Sequence, residues 1–226
     1  TVSYGVLVRL GDSRSMKPYY QDDHATIYHG DARELLPDLT FDVVVTDPPY
    51  GMSVVNKNNK IGISATAKAK EYKPVIGDDQ PLDPTWLAQF GERQVIFGVS
   101  HFVNIPHPGR LLVWDKEVTN GIFAEVEVAW DSKQGPSKII KHQQQGYYCN
   151  LGDIGRHHPT QKPLSVMLWI LDNCTEPEHT LIDPYMGSGT TLRAAKDLNR
   201  QSIGIEIDEQ YCEIAAKRMA QEVLPL

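Results

Sequence analysis

Short continuous apolar runs alternate along the chain with segments of helical period. The clearest run, Phe41-Asp42-Val43-Val44-Val45-Thr46, is bounded by turn formers and reads as a strand buried on both faces of a parallel sheet. Ala25–His29 and the stretches 94–97, 111–114, 180–182 and 202–207 read as further short strands. Glu125, Val126, Glu127 and Val128 alternate acid with apolar, which predicts a strand with one face toward solvent. From Pro163 onward, Leu164, Met167, Leu168 and Leu171 recur on one face of a helix that has proline at its first position. Helices are also expected over 190–198 and from Asp208, an acceptable N-cap, with a short one after Gly30-Asp31-Ala32 that Pro37 ends and a turn within 84–90. No internal repeat is visible. Strands alternating with helices predict an α/β protein built on an open, doubly wound, mostly parallel sheet.

The rest of the chain is less patterned. Residues 1–15 have little character and are set aside as a leader ahead of an alternative start at Met16, which leaves 16–226 as one domain. The stretch 52–83 is rich in Lys, Gly, Asn and Ser and too long for an ordinary connection, and 134–156 is Gln-rich without period. Segments 52–83 and 131–157 are therefore expected to be substrate-facing loops.

Composition adds limits. At 226 residues, 41% apolar, with a mean hydropathy of −0.37, the chain has ample core and no transmembrane run. Cys149, Cys174 and Cys212 lack the spacing of a zinc site or a disulfide framework, so no metal is expected and a reducing cytoplasm is the default compartment. His157 and His158 likewise have no third ligand at suitable spacing. A net charge of −7 argues against a general nucleic-acid binder. The local pattern partly reverses it: Lys57, Lys60, Lys68, Lys70 and Lys73 face only Glu71, and Lys133, Lys138, Lys141, Arg156 and Lys162 form a second basic stretch.

Two motifs carry chemistry. Asp47-Pro48-Pro49-Tyr50 closes the strongest strand. The prolines remove two backbone donors and stiffen the loop, so a carboxylate, a free carbonyl and a ring stand at the carboxyl end of the sheet, a set suited to a planar amine such as a nucleobase. Asp183-Pro184-Tyr185-Met186-Gly187-Ser188-Gly189-Thr190-Thr191 joins a strand to a helix, where Gly187 and Gly189 allow close backbone approach and the helix start offers free N–H groups. Glu206 ends the next strand, where an acid captures ribose hydroxyls. The loop lacks the lysine of a nucleotide-hydrolysing phosphate loop, and Leu192 replaces the third glycine of a dinucleotide site. S-adenosylmethionine, with ribose, adenine and a carboxylate but no phosphate, fits best.

With these two motifs and His158-Pro159-Thr160-Gln161-Lys162-Pro163, the chain resembles the amino-group DNA methyltransferases, which modify adenine N6 or cytosine N4. The catalytic motif precedes the cofactor motif, the order of the family's β-class. The resemblance runs from about 26 to 222 and implies a Rossmann-like methyltransferase sheet whose halves are exchanged along the chain. It implies that Asp47 and the Pro48 carbonyl hold the target amine and that Tyr50 stacks on its base. For the cofactor it implies contacts from Glu206 to the ribose, from the backbone of Gly187, Ser188 and Gly189, and from Thr160 and Lys162 near the methionine end. Asp31 is placed near the adenine, with Asp183, Tyr185 and Thr190 completing the cofactor set. Asp31 also suits a plain helix cap, and Trp114 at the end of its strand reads better as core than as pocket wall. Tyr185 stands where the family usually has Phe, and only 52–83 and 131–157 are available to read sequence. DNA is the expected partner, with phosphates on Lys57, Lys60, Lys68 and Lys70. A monomer or homodimer and a restriction-enzyme counterpart acting on the same site are expected. Adenine N6 is preferred because N4-cytosine members more often carry Ser at the position of Asp47; N4-cytosine methylation and a non-catalytic cofactor-binding recognition subunit are the alternatives.

Overall fold

A computed structural model describes residues 16–52, 75–80, 83–104, 108–118, 124–145, 148–149 and 161–222. In chain order its strands are Tyr20–Gln21 (β1), Ala25–His29 (β2), Val43–Thr46 (β3), Arg93–Phe97 (β4), Arg110–Asp115 (β5), Val126–Asp131 (β6), Lys138–Lys141 (β7), Gln144–Gln145 (β8), Tyr148–Cys149 (β9), Thr180–Asp183 (β10) and Gln201–Glu206 (β11). The helices are Ala32–Leu35 (α1), Leu164–Cys174 (α2), Thr190–Asp197 (α3) and Glu209–Met219 (α4), with 3-10 segments at Leu36–Asp38, Pro84–Gln89 and Val99–His101. No helix among the described residues is long and apolar enough to cross a membrane.

One sheet has the order β1-β2-β11-β10-β3-β4-β6-β5-β7, and β8 pairs separately with β9. From β2 to β4 every pairing is parallel, while β6 runs antiparallel between β4 and β5. The centre is buried on both faces, which is why β3 reads as an unbroken apolar run. Val43 and Val45 pack with Val166, Met167 and Leu171 of α2 and with Ala194 and Ala195 of α3. Val44 points the other way, toward Leu36, Leu87, Ile96 and Trp130. Ile27, Leu192, Cys212 and Ala215 bring α4 against the outer parallel strands. Helices thus lie on both faces, as the alternation of elements predicts. Trp114 is core, its indole N–H donating to the His142 carbonyl at 2.8 Å.

The stretch 131–157 is only partly the loop its composition suggests. Asp131 ends β6 fully buried, and β7 adds a strand parallel to β5. The four residues of β7, Lys-Ile-Ile-Lys, are too few to show a period, and Asp131 is buried because Arg93 and Arg110 neutralise it, a pairing no local pattern reveals.

Candidate active site

The chain departs in opposite directions from two neighbouring strands. From β3 it goes to β4 on one side; from β10 it passes through α3 to β11 on the other. Such a reversal opens a crevice beyond the carboxyl ends of the strands. Here it brings together the two loops that lie farthest apart in the sequence of motifs, 47–50 and 183–191, around a cleft of about 380 Å³. The size suits a single small-molecule ligand.

On the β3 side, Asp47 is the centre of a buried charge cluster. Its Oδ2 accepts from Lys162 Nζ at 2.5 Å, and its Oδ1 accepts from the Tyr50 hydroxyl. Lys162, only 7% exposed, also reaches Glu127 Oε2 on β6 at 3.0 Å, and Glu127 Oε1 meets Lys116 Nζ at 2.5 Å. Burial raises the Asp47 carboxyl despite the adjacent ammonium, and Glu127 adds to the rise. Burial would also raise Glu127, but Lys162 and Lys116 together hold it down to about 2. Lys162 is itself held well above its ordinary value because Asp47 and Glu127 outweigh its burial. Burial also pushes the Tyr50 hydroxyl well up, and the Asp47 charge adds to it, so this group is a donor.

The Tyr50 ring is seated as firmly as its hydroxyl. It stacks on His101 with centroids 5.0 Å apart and planes 16° from parallel. Gly98 makes room for it: φ is +87° there, and a Cβ would stand 2.1 Å from the ring.

On the β10 side, Asp183 ties the glycine loop to the neighbouring strand. It accepts from Thr46 Oγ1 at 2.7 Å, from Thr191 Oγ1 at 2.6 Å and from the Tyr185 N–H at 3.1 Å. Burial pushes its carboxyl up to about 6 against the pull of the two threonines. The Ser188 hydroxyl donates to Gln161 at 3.1 Å, and Arg218 donates to the Ser188 carbonyl and to Thr190 Oγ1. Gly189, at φ +77°, starts α3 without a side-chain cap, leaving first-turn N–H groups for an anionic ligand atom. Its missing Cβ also admits α4, since a methyl there would lie 2.9 Å from Ala215 Cβ. Glu206 accepts from the Gly187 N–H at 2.9 Å and from the Asp208 N–H at 2.8 Å. Burial raises it against those two bonds. Asp31 both caps α1, accepting from the Arg33 N–H at 2.8 Å, and lines the cleft with Tyr185.

Residues 65–217 match the DNA methylase family of N6 and N4 methyltransferases. The chain belongs to that family. It is 40% identical to the type II methyltransferase M.HinfI of Haemophilus influenzae, over 93% of this chain and 72% of that one. Among solved structures, the M1.HpyAVI complex with S-adenosylmethionine aligns over 87% of this chain and 100% of its own, at 26% identity and a TM-score of 0.56. The PvuII DNA methyltransferase, specific for cytosine N4, shares the fold at a TM-score of 0.58 and 17% identity, covering 93% of this chain and 92% of its own.

S-adenosylmethionine is the methyl donor of this family, and the cleft fits it. Glu206 is held by two backbone N–H groups, so its remaining lone pairs are aimed rather than free to wander. The uncapped start of α3 suits a carboxylate, and Tyr185 offers a flat face. The structure thus gathers Asp31, Asp47, Pro48, Tyr50, Lys162, Asp183, Tyr185, Gly187, Ser188, Thr190 and Glu206 around one cleft. Gly189, the N-cap of α3, does not line it. Lys162, expected near the methionine end, lines the cleft and also grips Asp47, and the side-chain oxygens of Ser188 and Thr190 meet Gln161 and Arg218. Thr160 and Lys57, Lys60, Lys68 and Lys70 lie outside the described residues. Sequence reasoning missed Glu127, Gly98 and His101. Only Glu127 left a signal, as an acid inside an alternating strand, and that signal reads equally well as solvent exposure.

Proposed function

We propose that this DNA methyltransferase acts on the N6 amine of adenine, within a specific site, as the modifying partner of a restriction enzyme. The observation that carries the reading is the Asp47 carboxylate, partly buried and lining the cofactor cleft at the switch point. A carboxylate offers about four acceptor positions. Tyr50 and Lys162 use one each, so positions remain for an amine.

The exocyclic amine of adenine is a poor nucleophile, because its lone pair is delocalised into the ring. Asp47 and the Pro48 carbonyl each accept one of its N–H bonds, which draws the nitrogen toward tetrahedral geometry and localises the pair. These bonds strengthen as positive charge grows on nitrogen, so they stabilise the transition state more than the ground state. S-adenosylmethionine supplies an electrophilic methyl on sulfonium. The nitrogen pair would attack that methyl as the C–S bond breaks, and the proton displaced from the amine would pass to Asp47, whose raised carboxyl suits it to receive one. The base reaches the site flipped out of the duplex. Tyr50, held by Asp47, His101 and Gly98, supplies the aromatic wall for it. Lysines 57, 60, 68 and 70 contact the DNA backbone in this reading.

Incubation with labelled S-adenosylmethionine and mixed-sequence DNA, followed by mass spectrometry of the nucleosides, tests the assignment. N6-methyladenine is expected; N4-methylcytosine would overturn the choice of base, and unlabelled DNA the choice of substrate. A separate outcome checks the cofactor pose. In Glu206→Gln, the amide NH2 must face the Gly187 or the Asp208 N–H, so one bond is lost together with the charge. Hydrogen bonds to a charged group are worth about 1.5–3 kcal/mol, so the Kd for S-adenosylmethionine measured by calorimetry should rise about 10–100-fold.

A further inference from the structure

The mechanism above uses Asp47, Pro48 and Tyr50, and leaves Glu127 unexplained. This acid comes from β6, the strand that runs against its parallel neighbours, and does not line the cofactor cleft. Yet it shares a single buried cation with the catalytic carboxylate. Lys162 Nζ lies 2.5 Å from Asp47 Oδ2 and 3.0 Å from Glu127 Oε2, and sits 5.1 Å from the centroid of the Phe97 ring. Two carboxylates around one ammonium leave an uncompensated negative charge, which Lys116 balances from the far side of Glu127 at 2.5 Å.

This arrangement has a chemical consequence. A lysine paired with Asp47 alone would place its full charge on the oxygens that must accept the amine. With Glu127 Oε2 3.0 Å away, part of the ammonium's charge is offset by a second carboxylate before it reaches the first. We propose that Glu127 is a positioning residue for methyl transfer: it offsets part of the Lys162 charge, keeping the Asp47 carboxylate basic enough to bind the target amine and fixed in the place where it does so. The proposal rests on the reading of Asp47 as the amine's acceptor.

The groups facing Asp47 define the expected pH behaviour. Tyr50 comes from its own loop, Lys162 from the lead-in to α2, Glu127 from β6 and Asp183 from β10; Lys116 stands behind Glu127 and His101 behind Tyr50. Activity needs ionised Asp47, so it rises with pH through the titration of that group. Glu127 contributes to holding the Asp47 carboxyl up. Removing its charge therefore moves the acid limb to lower pH while weakening the acceptor.

The test compares wild type, Glu127→Gln and Lys116→Met in kcat/KM against pH, with S-adenosylmethionine affinity and melting temperature measured in parallel. Glu127→Gln should lower the plateau about 10–100-fold, at or below the low end of what a positioned acid or base itself contributes, and shift the acid limb downward. Its affinity for S-adenosylmethionine should stay within about twofold, as expected for a residue outside the cleft. Lys116→Met keeps both carboxylates and removes a cation, so its acid limb should move the opposite way. Plateau loss without a shift in either variant would mean a merely structural role and overturn the proposal, as would wild-type kinetics in Glu127→Gln. Wild type that methylates no DNA would instead overturn the reading of the site beneath it.

Discussion

Replacing Asp47 by alanine should reduce methyl transfer about 10³-fold or more while sparing the affinity for S-adenosylmethionine. The lost contact is made to the atom on which charge develops, in a buried place where water substitutes poorly, and removing one such group typically costs 10²–10³ in kcat, roughly 3–4 kcal/mol. Asp47 also aligns the amine with the methyl, so the loss should exceed that of a single donor. The fold should survive, because Lys162 keeps Glu127 at 3.0 Å and is not stranded. In the proposed site, cofactor binding belongs to Glu206 and the glycine loop, anchored on β10 and β11. Single-turnover rates and calorimetry on the same preparation check both halves. A variant that loses both together would place Asp47 in the cofactor site instead.

The largest stability effect is expected away from the cleft, at Asp131. This carboxylate is fully buried and takes Arg93 Nε at 2.8 Å, Arg93 Nη2 at 2.6 Å and Arg110 Nε at 2.6 Å. Asp131→Ala leaves two largely buried guanidinium groups without their carboxylate. Breaking a buried ion pair from one side costs about 3–5 kcal/mol, and for a chain of this size that is about 6–20 °C in Tm. Burial alone would raise the Asp131 carboxyl, yet the bonds from Arg93 and Arg110 keep it below its ordinary range. Its stabilisation is thus present above the unfolded carboxylate value and disappears as pH falls through the lower folded one. Wild type should lose stability at acid pH more steeply than Asp131→Ala, and denaturant melts at several pH values read this directly.

The two predictions divide the molecule by how its parts were legible. Asp47, Tyr50, the glycine loop and Glu206 were found because each sits beside its strand in the chain, and short-range order writes such a site as contiguous motifs. The parallel centre of the sheet was equally plain, since burial on both faces leaves an unbroken apolar run such as Val43-Val44-Val45. Asp131 and Glu127 were not legible. Each is an ordinary acid in a strand of mixed pattern, and only pairing across the sheet turns the one toward Arg93 and Arg110 and the other toward Lys162 and Lys116.

Lys162 shows the boundary best. Its motif placed it in the site, near the cofactor; the tertiary structure adds its grip on Asp47. By itself the sequence determined the fold class and the methyl donor, and singled out 47–50 as the proposed acceptor site, because helical and strand periods and contiguous motifs are properties of neighbours along the chain. The tertiary structure alone decided which charges share the buried space behind Asp47. Electrostatic coupling acts through distance in space, and residues 47, 116, 127 and 162 become neighbours only when β3, β5, β6 and the lead-in to α2 meet at one end of the sheet.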